Sequence, residues 1–208
     1  MIDFGQVNEY LARVQPPSEG VTAEMEAYGR EIGFPFIGPL VGRLLAMLTR
    51  MIGARRVFEC GSGYGYSALW FADAVGDQGE VWCTDTSAEH AAKAEEFLGR
   101  AGLWDRIRFR IGDANEILAE TEGPFDVILV DIDKQDYPST LERTVPKLRP
   151  GGLLITDNLL WDGDVLRETP KHEWTPAIRE YTRLLVAHPA LETVILPLRD
   201  GVGVSRRR

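Results

Sequence analysis

Short apolar runs alternate along the chain with longer segments of helical character. The runs are rich in β-branched residues and too short for helices, so they predict the strands of a buried parallel sheet. Five strands are predicted, at residues 57–60, 80–84, 107–111, 125–130 and 153–156, separated by helical stretches such as 66–74 and 88–101. This alternation is typical of βαβ units joined by right-handed crossovers.

The pattern changes towards the end of the chain. A helix at 176–187 is followed by apolar runs at 193–198 and 202–205, with Asp200-Gly201 between them. An Asp-Gly pair between two apolar runs predicts a tight hairpin. We therefore expect an α/β fold, a Rossmann-like doubly wound sheet that is mostly parallel, with a C-terminal antiparallel hairpin and helices on both faces.

A helical region precedes the first predicted strand. Helices around 22–31 and 40–51 are joined by residues 33–39, a Gly/Pro/aromatic connector that cannot continue a helix. We expect residues 1–52 to form an N-terminal cap or lid, while the role of residues 34–39 is left open. With 208 residues, the chain is long enough for one core and short for two, so residues 1–208 are expected to form a single domain.

A net charge of −9 disfavours general binding of nucleic acid, because phosphate affinity needs clustered Lys and Arg. The basic run Arg206-Arg207-Arg208 is expected to be a solvated, frayed tail. No apolar run approaches the roughly 20 residues that span a bilayer, and the first residues lack the features of a signal peptide. We therefore expect a soluble cytoplasmic protein without a membrane partner. Cys60 and Cys83 have no C-x-x-C partner and are expected to be buried free thiols.

Polar residues follow two of the predicted central strands. Asp131 follows the strand at 125–130, and Asp157 and Asn158 follow the strand at 153–156. Because parallel strands end at the same edge of a sheet, these side chains should converge on one crevice. Such hard oxygen ligands suit Mg²⁺, with Mn²⁺ or Ca²⁺ as alternatives. Either aspartate alone could equally cap a following helix, but the set of three favours a metal site.

A glycine-rich turn, Gly61-Ser62-Gly63-Tyr64-Gly65, follows the first strand and opens a helix, where backbone N–H groups can approach a ligand. Its third glycine comes one residue earlier than in the dinucleotide fingerprint, and Glu59 would repel a pyrophosphate yet attract an ammonium. Asp85, about 20 residues further on, stands where this topology places a ribose-binding carboxylate, and Gly112-Asp113-Ala114 can border an adenine ring. A ligand with a ribose, a purine and a positive charge but no phosphate fits this set, and S-adenosylmethionine is such a ligand.

From about residue 40 to its end, the chain resembles the class I S-adenosylmethionine-dependent methyltransferases. Within them it is similar to the cation-dependent O-methyltransferases of the catechol and caffeoyl-CoA type. The resemblance rests on segments 59–67, 110–114, 130–137 and 157–163. The glycine turn marks the cofactor class, whereas Asp-x-Asp-Lys at 131–134 together with Asp-Asn at 157–158 marks the subfamily.

Carried over to the matching positions, the resemblance implies Asp131, Asp157 and Asn158 as metal ligands and Lys134 as the catalytic base. It also implies that the methyl donor is contacted by Glu59, Gly61, Ser67, Asp85, Ala114 and Asp131. Relatives are often homodimers, and residues 40–51 and 193–205 are apolar enough to bury against a second copy. Residues 34–39 do not match the family's usual N-terminal lid, and residues 166–174 are not diagnostic of any plant or animal member, so the acceptor stays open.

A small aromatic hydroxyl compound, a catechol-like vicinal diphenol, is the favoured acceptor. A phenol with a pKa of about 10 is mostly neutral at pH 7, and ionising it there costs roughly 4 kcal/mol. A divalent cation that chelates two vicinal oxygens lowers this cost and positions one oxygen towards the methyl group. Lys134 can accept the phenol proton if the neighbouring cation favours its neutral form. Trp161 and Tyr137 are candidates to pack on an aromatic acceptor.

Two other functions stay open at the level of sequence. Methylation of a hydroxylated tRNA base keeps the chemistry and changes the acceptor, but the acidic charge counts against it. A dinucleotide-dependent oxidoreductase would use the glycine turn, but the early third glycine and the Asp157-Asn158 pair argue against it. His90, His172 and His188 are scattered along the sequence and receive no chemical role.

Overall fold

One seven-stranded sheet organises the computed structural model, which describes residues 4–208. The strand order is β3-β2-β1-β4-β5-β7-β6. The strands are β1 (Arg56–Cys60), β2 (Glu80–Asp85), β3 (Ile107–Ile111), β4 (Phe125–Val130), β5 (Leu148–Thr156), β6 (Leu191–Leu196) and β7 (Val202–Arg207). Strands β1 to β5 pair in parallel, and β7 pairs antiparallel with both β5 and β6.

Helices cover both faces of the sheet. They are α1 (Phe4–Val14), α2 (Gly20–Glu31), α3 (Gly38–Met51), α4 (Tyr66–Val75), α5 (Ala88–Arg100), α6 (Ala114–Glu120), α7 (Tyr137–Thr144) and α8 (Thr175–Ala187). Short 3₁₀ turns lie at Trp104–Arg106, Lys134–Asp136, Val145–Lys147 and Trp161–Leu166. None of the helices within residues 4–208 has the length and apolar character needed to cross a membrane.

The central strands are buried on both faces, which explains their unbroken apolar sequence. Along β4, alternate side chains belong to two different cores: Val127 and Leu129 pack in one, and Ile128 and Val130 pack in the other. This division follows from the two-residue side-chain period of a strand. The doubly wound α/β fold with its antiparallel end is therefore confirmed.

Two predictions at the C-terminal end are wrong in detail. Strand β6 ends at Leu196, so a five-residue loop, 197–201, replaces the tight hairpin. The loop is held instead by its neighbours, because the Leu159 and Leu160 N–H groups donate to the Gly201 and Asp200 carbonyls. The terminal arginines are not a frayed tail either: Arg206 pairs with Leu153 within the sheet, since β7 extends to residue 207.

The N-terminal helices lie against the glycine turn. The Tyr64 hydroxyl donates to the Met25 carbonyl at 3.1 Å, and the Tyr66 hydroxyl donates to Glu26 at 2.9 Å. Phe34, in the connector, packs edge-on against Tyr64, with ring centroids 5.4 Å apart. Helix α1 was not predicted. Its role as part of a lid stays a prediction, as does the single-domain organisation.

Two other expectations can be compared with the described residues. Cys60 and Cys83 are both free and buried, as predicted. Large apolar side chains are exposed on the segments expected to pair with a second copy, including Met47 and Met51 on α3 and Val194 on β6. The homodimer and the cytoplasmic location stay predictions.

Candidate active site

A cleft of about 490 Å³ opens at the carboxyl ends of the parallel strands. It lies where the strand order reverses between β1 and β4, the place where open parallel sheets bind ligands. Its walls come from the ends of β1 to β5, from residues 34–37 and from the loop between β6 and β7. The predicted site residues that line it are Gly61, Ser67, Asp85, Ala114, Asp131, Lys134, Asp157 and Asn158.

Backbone hydrogen bonds extend the sheet pairing one residue past the central strands. The Asp131 N–H donates to the Cys60 carbonyl at 2.9 Å, and the Asp157 N–H donates to the Val130 carbonyl at 3.3 Å. The main chain therefore holds the residues after β1, β4 and β5 side by side on the floor of the cleft.

Glycine is required in the turn after β1. Gly61 has φ 86°, and a Cβ atom there would collide with the carbonyl oxygen of Asp131. Gly63 has φ 49°, and a Cβ atom there would lie 2.8 Å from the Phe34 ring. The absence of side chains thus lets the turn lie against β4 on one side and the N-terminal connector on the other.

Glu59 lies beneath the cleft rather than on its wall. Its side chain is fully buried, its Oε1 atom has no hydrogen-bond partner, and its Oε2 atom is 3.4 Å from the Cys83 thiol. Burial raises the pKa of Glu59 to about 7, although the nearby Ser67 and Ser62 hydroxyls partly offset this rise. Contact between Glu59 and a methyl donor stays a prediction.

Asp85 closes β2 and faces the cleft with its carboxylate already engaged. Oδ2 accepts the Gly63 N–H at 3.0 Å, and Oδ1 accepts the Ser87 N–H at 2.8 Å. The His90 ring nitrogen Nδ1 lies 3.0 Å from the same Oδ1 atom. The sequence reasoning missed His90; its signal was its place in the first turn of α5, five residues after Asp85. Asp85 thereby fixes the glycine turn while retaining acceptor capacity on Oδ2.

The side chains of the predicted metal set meet in the same cleft. Asp157 is only 2% exposed, and its Oδ1 atom has no hydrogen-bond partner. Burial, followed by the nearby charge of Asp131, raises the pKa of Asp157 well above its usual range. Asn158 has φ 62°, and its Nδ2 atom donates to Asp200 at 3.3 Å.

Asp200 is a site residue that sequence reasoning missed. The Asp-Gly pair was used only to predict a turn, yet β7 pairs with β5 and so places the preceding loop beside the residues that follow Thr156. Its Oδ1 atom accepts the Asp162 N–H at 2.5 Å, so the carboxylate links the loop after β5 to Asn158.

Oxygen atoms dominate this donor set. Within residues 4–208, no three His, Cys, Asp or Glu side chains form a cluster able to hold a metal ion. The predicted set instead combines two carboxylates with one amide, which are the oxygen ligands preferred by Mg²⁺ and Ca²⁺. An unpartnered, buried carboxylate oxygen on Asp157 is compatible with such a cation, since a buried charge needs a partner.

Lys134 is held at the cleft wall with little freedom to move. It is 8% exposed, and its Nζ atom donates to Asp131 Oδ1 at 2.8 Å, to the Tyr137 hydroxyl at 2.9 Å and to the Ile132 carbonyl at 3.1 Å. Tyr137 was a candidate to contact an aromatic acceptor, and this interpretation is wrong. The ring is fully buried, and its hydroxyl donates to the Asp157 carbonyl at 3.1 Å, so it positions Lys134 instead.

Two indole rings line the side of the cleft near the metal set. Trp161 is half-buried, and its ring centroid lies 6.1 Å from that of Trp174, which is 37% exposed. Sequence reasoning did not single out Trp174, because nothing in the segment before α8 showed that it returns to the cleft. The pair offers an aromatic surface beside Asp157 and Asn158.

The antiparallel β7 between β5 and β6, the glycine turn after β1 and Asp85 at the end of β2 are together typical of a Rossmann-like methyltransferase. Comparison with known proteins gives the family. Residues 29–208 match the family described as O-methyltransferase. The chain belongs to the S-adenosylmethionine-dependent O-methyltransferases, and the oxidoreductase alternative is therefore wrong.

Individual relatives agree with this assignment. The chain is 34% identical to a catechol O-methyltransferase of Niastella koreensis over 181 residues, which cover 84% of this chain and 80% of that protein. It is 33% identical to caffeoyl-CoA O-methyltransferase 1 of Eucalyptus globulus over 177 residues, 80% of this chain and 72% of that protein. The structure of an O-methyltransferase from Bacillus cereus in complex with SAH is 29% identical, with a TM-score of 0.87 over 98% of this chain and 97% of the other.

Proposed function

We propose that the protein transfers the methyl group of S-adenosylmethionine to one hydroxyl of a small catechol-like acceptor, with the help of a divalent cation. The observation that carries this proposal is the meeting of three features in one cleft. These are the oxygen set of Asp131, Asp157 and Asn158, the buried Lys134 and the aromatic pair of Trp161 and Trp174. The names of the relatives, catechol and caffeoyl-CoA O-methyltransferase, point to the same class of acceptor.

The donor side of the cleft would hold S-adenosylmethionine. Gly61, in the turn after β1, and Ser67, in the first turn of α4, both line this side of the cleft. Asp85 would accept from the ribose through its remaining acceptor capacity, and Ala114, at the start of α6, would border the adenine. Glu59, buried below the turn, adds a potential negative charge beneath the sulfonium end.

On the other side, Asp131, Asp157 and Asn158 would hold the cation, for which Mg²⁺ is the first choice and Mn²⁺ or Ca²⁺ are alternatives. When bound, such an ion lowers the free energy needed to ionise a phenol and orients vicinal oxygens. The residues fit this role because Asp157 offers an unpartnered buried oxygen and Asp200 orients the Asn158 amide.

Lys134 would remove the acceptor proton. Its Nζ atom is fixed by Asp131 and Tyr137 at the wall that the acceptor faces. In its neutral form it can accept one proton from the hydroxyl, which then attacks the methyl carbon in line with the departing sulfur. The products are the methyl ether, S-adenosylhomocysteine and a protonated lysine, and no covalent enzyme intermediate is needed.

The cleft does not favour the tRNA alternative. Six of its lining residues are aspartates, namely Asp85, Asp113, Asp131, Asp133, Asp136 and Asp157, whereas Lys134 and Arg199 are its cationic ones. A nucleic acid would bring phosphates to a predominantly acidic rim, which costs electrostatic free energy.

The test is a methyl-transfer assay with S-adenosylmethionine against vicinal diphenols, matched single phenols and bulk tRNA, each with Mg²⁺ or with EDTA. We expect transfer to the vicinal diphenols in Mg²⁺, and little transfer to single phenols or in EDTA. Methylation of tRNA in preference to diphenols, or equal rates with Mg²⁺ and EDTA, would overturn the proposal.

A further inference from the structure

Arg199 stands at the tip of the loop between β6 and β7 and lines the cleft. Its backbone has φ 49°, in the left-handed region that glycine occupies freely and other residues occupy at a cost. The backbone itself is fixed from outside the loop, because the Arg199 N–H donates to Asn8 Oδ1 at 3.1 Å. The loop is therefore already held by a backbone contact, and the Arg199 side chain adds to it one hydrogen bond, to the Phe36 carbonyl.

The guanidinium is only partly satisfied. Its Nη1 atom donates to the Phe36 carbonyl at 2.9 Å, and within residues 4–208 its side chain makes no other hydrogen bond. It forms no ion pair in that part of the chain, whereas the other cation on the cleft wall, Lys134, is paired with Asp131. A guanidinium has five N–H donors arranged to bind a carboxylate through two oxygens. Arg199, at the wall of the cleft, thus has N–H donors that the described residues do not use.

Arg199 lies on the acceptor side of the cleft rather than on the side of the methyl donor. It directly precedes Asp200, which accepts a hydrogen bond from Asn158 at 3.3 Å, so the loop holds Arg199 on the metal side of the cleft. The donor-binding turn after β1 and the end of β2 lie across the cleft, on the other side of β4.

We propose that Arg199 selects acceptors that carry a carboxylate, so that the preferred substrates are vicinal diphenols with an acidic substituent, such as dihydroxybenzoates. This inference rests on the proposed diphenol methyltransferase activity and adds the class of acceptor. Arg199 binds the carboxylate through its free guanidinium donors while the diphenol oxygens lie towards Asp157 and Asn158. Charge-assisted hydrogen bonds of this kind contribute about 1.5–3 kcal/mol, roughly 10- to 100-fold in affinity.

A pair of matched acceptors distinguishes carboxylate binding by Arg199 from a purely structural role. The kcat/KM values of 3,4-dihydroxybenzoate and its uncharged amide are measured for the wild type, Arg199→Gln, Arg199→Gly and Arg199→Lys. Arg199→Gly should still fold, since glycine tolerates φ 49°. Arg183→Gln serves as a control, because Arg183 is exposed on α8 and pairs with Glu180.

We expect Arg199→Gln and Arg199→Gly to lose roughly 10- to 100-fold in kcat/KM for the benzoate and less than about threefold for the benzamide. Arg199→Lys should restore part of the loss, and Arg183→Gln should match the wild type. Equal losses for the two acceptors, or no loss for either, would overturn the role of Arg199.

Calorimetry of both acceptors with S-adenosylhomocysteine and Mg²⁺ gives a readout that does not require turnover. Tighter binding of the benzoate by the wild type alone supports the inference. If the wild type methylates no diphenol, the proposed function fails. If it methylates benzoate and benzamide equally well, only the Arg199 inference fails.

Discussion

The two halves of the cleft use positive backbone φ angles in different ways. In the donor half, at the ends of β1 to β3, these angles occur at Gly61, Gly63, Gly65 and Gly112. In the acceptor half, beside β5 and β7, they occur at Gly163 and Gly201 and also at residues with side chains. The non-glycine residues of positive φ within residues 4–208 all lie here: Asn158, Trp161, Asp162 and Arg199.

The donor half uses positive φ angles to let the backbone approach closely, whereas the acceptor half also uses them to place polar side chains. Gly61 is needed because a Cβ atom would meet the Asp131 carbonyl, so the donor half uses glycine for close approach. Asn158 and Arg199 instead bear polar side chains that face the cleft, at a cost of about 1 kcal/mol or more each. Strained residues cluster at functional sites, and here they lie in the half where we propose that the acceptor binds.

The carboxylates of the two halves also differ in how completely they are hydrogen-bonded. Asp85 in the donor half receives two backbone N–H groups and lies beside His90. Asp157 in the acceptor half is more deeply buried yet keeps an unpartnered oxygen. The donor half is preorganised by its own backbone, whereas the acceptor half is completed by what binds there.

The largest effect is expected at Lys134. If Lys134 takes the acceptor proton, Lys134→Ala should lower kcat by about 10²- to 10⁴-fold with little change in S-adenosylmethionine affinity. The loss should shrink at high pH or with a more acidic catechol, because the proton has then already left. Steady-state kinetics with ordinary and acidic catechols test this, with the surface variant Lys93→Ala as a control. An equal loss for both catechols at every pH would limit Lys134 to positioning.

Glu59 tests the electrostatics under the donor half. Its pKa is raised by burial from 4.5 to about 7, so the unfolded chain ionises at lower pH than the folded protein. This contribution to stability is complete below pH 4.5 and is lost as the pH rises to about 7. Relative to the wild type, Glu59→Gln should therefore gain about 2–3 kcal/mol in unfolding free energy between pH 5 and pH 8. Urea unfolding that shows the same difference at both pH values would show that Glu59 is not held neutral.

Substitution of Asp85 should change the binding of the methyl donor alone. Asp85→Asn replaces an acceptor oxygen by an N–H donor facing backbone N–H groups, and S-adenosylmethionine affinity should fall about 10- to 50-fold. The KM for the acceptor at saturating donor should change little. Asp73→Asn is a control, because Asp73 is exposed on α4 and pairs with Arg50. Calorimetry showing unchanged cofactor affinity in Asp85→Asn would remove the ribose role.

A pair of glycine exchanges compares the two halves directly, with the smallest expected effects. Gly61→Ala should lower stability by about 1–3 kcal/mol, because the added methyl meets the Asp131 carbonyl. Asn158→Gly should leave stability unchanged or raise it by up to about 1 kcal/mol, yet reduce cation-dependent activity. If Asn158→Gly destabilises as much as Gly61→Ala, Asn158 is a structural residue.

The sequence predicted the parts of this molecule that depend on local pattern. Buried parallel strands have continuous apolar runs, and the polar residues after β4 and β5 could be placed on one edge from strand order alone. Helices α6 and α7 were not predicted because, with only 7 and 8 residues, they are too short for a helical pattern to stand out. Helix α1 was not predicted either, and it buries none of its side chains.

The remaining site residues depend on approaches between distant segments. Arg199 and Asn8 are 191 positions apart, and Asp200 reaches Asn158 only because β7 lies beside β5. Tyr137 looked like an acceptor contact because burial cannot be read from a single aromatic residue. These residues became visible only when tertiary contacts were known.

The central claim is that the acceptor half holds a cation which methyl transfer needs and cofactor binding does not. Asp157→Ala and the wild type are compared by calorimetry with S-adenosylmethionine and by catechol methylation, each in Mg²⁺ and in EDTA. We predict a cofactor Kd within about twofold of the wild type, and a rate in Mg²⁺ no higher than that of the wild type in EDTA. A wild-type rate unaffected by EDTA, or a cofactor affinity that falls together with the rate in Asp157→Ala, would contradict the division between the two halves.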